Sequence, residues 1–204
     1  MPPSIRLHRT RPAGLAIIAA ASVVFLGGCT DEAPEPTGTA APAASETPAA
    51  TEPVPTETAE PPVPFAIECD ALLTPQNVYD FNSNFGVDPE YEPSAEGITG
   101  VVDEAGTACG WLNQTSGEVI EVGVATPPPS ALEARKNAAA LASKPVPTYG
   151  TPPDVEGYFL QSGGSGEAQV FQGSYWIVID SSSLFEPGDA QLLVTAVLGN
   201  LPDA

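Results

Sequence analysis

Residues 65–204 predict an α+β domain, in which an antiparallel sheet carries helices packed on one face. Three observations lead to this expectation. Short runs rich in β-branched and aromatic residues alternate with turn residues, which is typical of strands. Residues typical of helix starts, which are capping residues and prolines, lie between these runs. The resulting order is helix, three strands, helix, three strands, helix, and it suggests a tandem pseudo-repeat of one helix plus three strands.

The strands are predicted from their alternation and from the turn residues that bound them. They are expected over residues 98–103, 107–112, 118–124, 156–161, 167–172 and 174–180. Gly173 and Ser174 suit a two-residue hairpin with glycine at the first central position. Trp111 and Trp176 are the expected core anchors.

The helices are predicted from their capping residues and from the breakers that follow them. They are expected over residues 75–84, 130–143 and 189–198. Thr74 precedes a proline at the first helical position and should cap the first helix. Ser130 and Glu133 form a capping box for the second. An alanine-rich stretch over residues 138–142 suggests that this second helix packs closely on the sheet.

The N-terminus has the pattern of an export signal. Arg6, Arg9 and Arg11 precede an uncharged apolar stretch over residues 13–26. This stretch is about 21 Å long as a helix, which is shorter than the roughly 30 Å needed to cross a bilayer.

The apolar stretch ends in Leu26-Gly27-Gly28-Cys29, which resembles the bacterial lipobox. The resemblance implies that Cys29 receives a diacylglyceryl group and becomes the mature N-terminus. Two acyl chains anchor a protein stably where one is marginal. An ordinary secretory signal with an incidental cysteine is the alternative. We therefore expect a signal peptide over residues 1–28 and a lipid anchor at Cys29.

Residues 30–64 form a linker in the sequence. They hold nine prolines, seven acidic residues and no lysine or arginine, a composition that does not form a core. Proline and like charges favour extended chain, so the segment could span up to about 100 Å. The expected organisation is a signal peptide (1–28), an anchor and linker (29–64), and one globular domain (65–204).

The mature chain is strongly acidic and contains no histidine. Removal of residues 1–28 takes away three of the six basic residues and His8, leaving three basic and 26 acidic residues, a formal charge of −23. Such a chain repels phosphate backbones, so no nucleic-acid partner is expected. Nucleophile activation by histidine and zinc sites that need imidazole are excluded as well.

The three cysteines fit an exported protein if one of them is lipidated. With Cys29 used by the anchor, Cys69 and Cys109 remain to pair. A bridge that closes a loop of about 40 residues should stabilise the domain by roughly 3 to 4 kcal/mol.

The segment Cys69-Asp70-Ala71-Leu72-Leu73-Thr74, the segment Cys109-Gly110-Trp111 and the C-terminal helix resemble a group of actinobacterial envelope lipoproteins of unknown function. The resemblance covers most of residues 66–201. It implies a surface lipoprotein of a high-GC Gram-positive bacterium with Cys69 bonded to Cys109. No binding residues come with these motifs.

Two acidic segments contain the oxygen ligands that cation sites use. Asp80 to Gly86 begins like a calcium loop, but its glycine falls at the seventh position and Tyr91 stands where the bidentate glutamate belongs. A helix end capped by Asn84 and Gly86 is preferred. The second segment is an acidic loop, expected to be solvated, with the carboxylates Asp88, Glu90, Glu92 and Glu96.

Two other motifs favour turns over sites. The loop Gly163-Gly164-Ser165-Gly166 precedes a predicted strand, whereas phosphate-binding loops precede a helix. Asn113-Gln114-Thr115 matches a glycosylation acceptor but is expected to form a turn in a bacterial export route. No catalytic, cofactor-binding or metal-binding residue is predicted.

The expected function is a lipid-anchored lipoprotein on the extracytoplasmic face of the cell membrane, with a non-catalytic binding or scaffolding domain. Its candidate partners are the membrane through the anchor, and a wall polymer, a lipid or the ectodomain of a membrane protein. This reading predicts a groove between sheet and helices. One alternative is a small wall-glycan hydrolase with two carboxylates in a cleft. The other is a purely structural surface lipoprotein.

Overall fold

The structure, a computed structural model, describes residues 60–202. These residues fold around a seven-stranded antiparallel sheet. The predicted signal peptide, the lipidation site Cys29 and the linker as far as residue 59 lie outside the described residues. In chain order the strands are β1 (Phe85–Val87), β2 (Thr107–Asn113), β3 (Val119–Ala125), β4 (Lys144–Pro145), β5 (Val155–Ser162), β6 (Ser165–Gln172) and β7 (Tyr175–Ser181).

Five α-helices accompany the sheet within the described residues. They are α1 (Cys69–Leu72), α2 (Pro75–Phe81), α3 (Glu96–Asp103), α4 (Pro129–Ala142) and α5 (Gln191–Asn200). Single 3-10 turns lie at Pro147–Tyr149 and Pro187–Ala190. The α+β class with an antiparallel sheet is therefore confirmed.

The strand order across the sheet is β1-β2-β3-β7-β6-β5-β4. The last long strand of each half of the domain, β3 and β7, pairs at the centre, and the earlier strands of each half follow outward. The two halves differ from the predicted repeat of one helix plus three strands, because α3 lies between β1 and β2 and the second half has a fourth strand, β4. The first strand of the first half, however, is β1 and not the predicted segment 98–103.

The prediction of a strand over residues 98–103 is wrong, because this segment lies in helix α3. Its β-branched residues suggested a strand, but the buried positions Ile98, Gly100 and Val101 have helical spacing. The backbone N–H groups just before α3 also donate hydrogen bonds to a side chain far away in sequence, Glu121, which local patterns do not reveal.

The helices lie on both faces of the sheet and not on one face as predicted. We call them the disulfide face, which carries Cys109 and Trp111, and the carboxylate face, which carries Glu121. The disulfide face packs against α1, α2 and α5, and the carboxylate face packs against α3 and α4. The almost uninterrupted apolar run Tyr175–Ile179 in β7 agrees with this arrangement, because a strand covered on both faces needs no polar alternation.

The predicted capping box at Ser130 is absent. Helix α4 begins at Pro129, with Pro128 as its capping residue and no side-chain hydrogen bond to the cap. The fixed φ of a proline at the first helical position is sufficient for this start. The alanine stretch packs on the sheet at Ala139, whereas Leu141 is 90% exposed.

The first helix follows its prediction at its start and ends earlier. Thr74 caps α2 in a reciprocal pair of hydrogen bonds with Asn77. The helix ends with Asn82 as its C-cap instead of at Asn84, and Gly86 lies inside β1. The two core anchors are confirmed, because Trp111 and Trp176 are almost fully buried, on opposite faces.

The disulfide between Cys69 and Cys109 is present and connects the first turn of α1 to β2. The two Cα atoms are 5.7 Å apart, an ordinary separation for a disulfide. The bridge closes a loop of 40 residues over the disulfide face. It therefore fixes the helical N-terminal part of the domain to the sheet.

Both glycine turns are two-residue hairpins. Gly163 and Gly164 join β5 to β6 and both have positive φ angles of 63° and 94°. Gly173, with φ 56°, and Ser174 join β6 to β7 as predicted. A positive φ costs little for glycine, and turns of this kind match the twist of the strands.

None of the helices within residues 60–202 combines the length and apolar character that a membrane span requires.

Candidate functional site

Three carboxylates form a row across three neighbouring strands on the carboxylate face. In the strand register Asp180 of β7 lies opposite Glu121 of β3 on one side and opposite Glu167 of β6 on the other. Side chains directly opposite each other on one face have Cβ atoms about 4.5 to 5.5 Å apart. We call these three residues the carboxylate row.

Glu121 holds the N-terminus of α3. Its carboxylate accepts hydrogen bonds from the backbone N–H of Ser94 at 2.9 Å and of Ala95 at 3.2 Å. The hydroxyl groups of Ser94 and Tyr91 also donate to it, the latter at 2.9 Å. Ala95 is the N-cap of α3 and has no side chain that could accept a hydrogen bond, and Glu121 instead fixes the backbone of the N-cap and of the residue before it to the sheet.

Tyr91 reaches Glu121 by lying over Gly110. A Cβ atom at Gly110 would collide with the Tyr91 ring, so the glycine of the Cys109-Gly110-Trp111 segment provides the space for this contact. Burial, together with the hydrogen bond to Glu121 and the charge of Glu121, raises the pKa of the Tyr91 hydroxyl. The hydroxyl therefore stays protonated and acts as a donor.

Glycines also bring α3 close to the sheet. A Cβ atom at Gly97 would lie 2.8 Å from Val178, and one at Gly123 would lie 3.0 Å from Val101. The short distance between helix and sheet places the Glu167 carboxylate beside the backbone of Gly97 in the first turn of α3. Glu121 thus bonds the segment just before α3, and Glu167 lies against its first turn.

The other two acids have raised pKa values. Burial raises the pKa of Asp180 to about 6, the Ser165 hydroxyl bond opposes the shift, and the charges of Glu167 and Glu121 add to it. Burial also raises the pKa of Glu167, and the charge of Glu96 adds to that effect. Hydrogen bonds from Gln169 and Gly97 lower the pKa of Glu167 again in part. Like charges this close disfavour full ionisation of the row.

A cavity of about 290 Å³ opens above the carboxylate row. The residues of its wall, which come from the start of α3 and from β3, β5, β6 and β7, are Ser94, Ala95, Glu96, Glu121, Leu160, Ser162, Ser165, Glu167 and Asp180. Among these described residues none carries a positive charge. The cavity therefore favours cationic or neutral polar groups over anions.

A second cavity of about 290 Å³ adjoins the first between α3 and α4. Both are lined by Glu96, Leu160 and Glu167, so together they form one groove along the sheet, which we call the α3–α4 groove. Its second half is more apolar, with Ala138, Ala139, Ala142 and Trp176 in its wall.

Arg135 of α4 lines the second half of the groove. Its guanidinium lies 4.5 Å from the centre of the Trp176 ring and pairs with Glu104 of α3 at 3.1 Å. The Trp176 indole N–H donates to Gln169 at 3.1 Å. These contacts connect α3, α4 and the sheet and define the shape of the groove.

The two acidic segments of the sequence are distributed over separate elements of the fold. Asp80 lies in α2 and accepts a hydrogen bond from Gln76, and Asn82 ends that helix. In the second segment Asp88 accepts from the backbone of Glu90. Of the four acids of that loop, Glu96 alone lines the groove. No group of three or more metal-ligating side chains with suitable geometry occurs among residues 60–202.

The turn motifs behave as expected. The loop at Gly163 leads into a strand, and Asn113 accepts hydrogen bonds from the backbone of Thr115 and Ser116, which closes the turn after β2.

Sequence reasoning missed the carboxylate row. Glu121, Glu167 and Asp180 were not singled out because they are far apart in sequence and only the strand register brings them together. A weak signal was present for Glu121 and Asp180, since each is an acid in a largely apolar strand, whereas the polar composition of β6 gave none for Glu167.

Comparisons of the chain with family models, with curated proteins and with solved structures found no match.

Proposed function

We propose that this protein is a lipid-anchored lipoprotein of the extracytoplasmic membrane face, whose domain binds a ligand without catalysis in the α3–α4 groove. The groove is the observation that carries the binding assignment. Grooves that combine an apolar wall with a few convergent polar groups are the usual form of ligand sites. A purely structural lipoprotein would need no such groove.

The location is supported by the sequence and by the disulfide. The lipobox-like segment before Cys29 accounts for the anchor, and the bond between Cys69 and Cys109 agrees with an oxidising compartment. The acidic composition of the mature chain keeps the domain away from anionic headgroups.

The chain enters the domain at the end of the sheet that is distant from the carboxylate row. Val63 forms an isolated bridge with Thr126, and the backbone N–H of Phe65 donates to Ala105 at 3.0 Å. Thr126 lies five residues beyond Glu121, or about 17 Å along an extended strand.

The lining favours a ligand with an amine or several hydroxyl groups at one end and a less polar part at the other. A wall fragment that carries a free amine has this chemistry, since carboxylates pair with ammonium groups. The test uses the mature chain with Cys29→Ser, which removes the lipid, and a soluble amine-bearing peptidoglycan fragment as the probe. Chemical-shift changes at Gly97, Glu167 and the Trp176 indole are expected.

A matched pair of variants on α4 tests the location of binding. Ala142 lines the groove, whereas Ala140 is exposed on the same helix and is not part of the lining. Ala142→Trp should fill the groove and weaken binding at least about tenfold, and Ala140→Trp should leave it unchanged. Equal effects of the two substitutions, or no shift changes in the groove, would contradict the proposal.

One observation favours a second candidate function, a small wall-glycan hydrolase. A glycosidase needs a protonated acid beside an ionised carboxylate, and Asp180, with its pKa near 6, stands next to Glu121 and Glu167 in a cavity. Against this function, Glu121 already accepts four hydrogen bonds from the residues at the start of α3.

The hydrolase is tested by incubating the protein with purified wall glycan and measuring new reducing ends. Activity that is lost in Asp180→Asn and kept in Asp154→Asn, an exposed loop residue, would establish this alternative. The binding proposal expects no reducing ends with any of the three proteins.

A further inference from the structure

The start of α3 lies against the two outer members of the carboxylate row. Glu121 accepts the backbone N–H groups of Ser94 and Ala95, and the Glu167 carboxylate lies beside the backbone of Gly97. Asp180 lies between these two carboxylates in the register. The charge on Asp180 therefore acts on both carboxylates at once.

The groups that face Asp180 are acidic or neutral. From β3 and β6 come Glu121 and Glu167, from the start of α3 comes Glu96, and the Ser165 hydroxyl donates to Asp180 at 3.1 Å. The wall from β5 contributes Leu160 and Ser162. The nearest element with a cation is α4, where Arg135 lines the adjoining cavity and pairs with Glu104 of α3.

Like charges directly opposite each other in a sheet are destabilising. With all three acids ionised, the row repels itself and weakens the contacts of its two outer carboxylates with the start of α3. A proton on the central acid removes the repulsion of both neighbouring pairs in the row and provides an O–H that can donate to a neighbouring carboxylate. Burial raises the pKa of Asp180 to about 6, so the proton is gained under mildly acidic conditions.

We propose that the carboxylate row is a proton-sensitive latch, which holds the first turn of α3 on the sheet in mildly acidic surroundings and loosens it at neutral pH. Because α3 is one wall of the α3–α4 groove, the latch regulates the width of the groove. This last step rests on the proposed binding function, whereas the latch itself does not.

Amide hydrogen exchange of the mature Cys29→Ser chain tests the latch without any ligand. After correction for the intrinsic exchange rate, amides over residues 97–101 should be about tenfold better protected at pH 5.5 than at pH 7.5. The helix α5, on the disulfide face, should show no such difference and serves as the internal reference.

Two isosteric variants and one control complete the experiment. Asp180→Asn should make the protection of α3 independent of pH, and Glu167→Gln should lower the pH at which Asp180 titrates in a carboxyl NMR titration. Asp154→Asn, an exposed acid in the loop before β5, should keep the full tenfold difference.

Equal protection of α3 in the unsubstituted chain at both pH values would overturn the latch, and so would a pH difference that persists in Asp180→Asn. Since no ligand is present, these outcomes are independent of whether the groove binds the peptidoglycan fragment.

Discussion

Glu121 of β3 and Asp180 of β7 lie directly opposite each other at the centre of the sheet, and both line the cavity at the start of α3. Glu121 is 6% exposed and is satisfied by donors from the segment before the helix. Asp180 has one hydroxyl donor, from Ser165. Two acids in adjacent positions therefore have different roles: Glu121 fixes the segment before α3 to the sheet, and Asp180 gains a proton at mildly acidic pH.

The attachment of the start of α3 is tested by Glu121→Gln. The amide keeps the shape of the side chain but replaces one of the two acceptor oxygens by an NH₂ group, so two of the four donors to Glu121 lose their acceptor. We expect a loss of about 1 to 3 kcal/mol in the free energy of unfolding, measured by urea denaturation at pH 7. The control is Glu118→Gln in the turn before β3, which should change stability by less than about 0.5 kcal/mol. A similar loss of stability for both variants would show that Glu121 does not hold the start of α3.

The pH dependence of stability follows from Asp180. Its pKa is about 6 in the folded protein and near 3.9 in the unfolded chain, so between these values the folded state binds more protons. The contribution of this group to stability is therefore present at low pH and is lost as the pH rises from about 4 to 6. Relative to Asp180→Asn, the unsubstituted protein should lose about 1 to 2 kcal/mol between pH 4 and pH 6.5, as measured by urea midpoints. A difference that is constant over this range would contradict the assignment.

Gly110 tests the contact between β2 and Tyr91. Gly110→Ala places a methyl group in the position of the Tyr91 ring and should destabilise the domain by about 1 to 3 kcal/mol. Gly199→Ala is the matched control, because nothing lies within 4 Å of its Cβ position in α5. That substitution should be neutral or stabilise by up to about 1 kcal/mol. Thermal unfolding of both variants, with Tyr91→Phe to identify the contact, measures the difference.

The disulfide closes a loop of 40 residues, and its removal tests how far the sheet depends on it. The double substitution Cys69→Ser and Cys109→Ser should lower the free energy of unfolding by about 3 to 4 kcal/mol. A reducing agent should lower the stability of the unsubstituted domain by a similar amount and should not affect the double variant. Unchanged stability in the double variant would mean that packing alone fixes α1 to the sheet.

Local patterns were sufficient for much of the fold. The long strands β2, β3, β5, β6 and β7, the turn at Gly173 and the starts of α2 and α5 agree with the sequence to within about two residues. Each of these elements depends on its own alternation, glycine or capping residue. Trp111 and Trp176 were recognised as core residues because large aromatic side chains on apolar strands are rarely exposed.

The features that were missed depend on partners far away in sequence. Segment 98–103 is a helix because its N-terminus is held by Glu121 and because Gly97 and Gly100 let it lie close to the sheet. Through these contacts α3 covers the carboxylate face of the sheet, whereas the prediction placed helices on one face only. The carboxylate row exists only through the pairing of β3, β7 and β6, and no local signal specifies that order.

Mass spectrometry of the native protein, isolated from the membrane fraction of the cells that produce it, tests whether Cys29 is lipidated and whether Cys69 and Cys109 are paired. We expect an N-terminal peptide that begins at Cys29 with a diacylglyceryl group on its sulfur, together with a peptide pair joined through Cys69 and Cys109. An unmodified thiol at Cys29, or a chain that still carries the leader with Arg6, Arg9 and Arg11, would contradict this expectation.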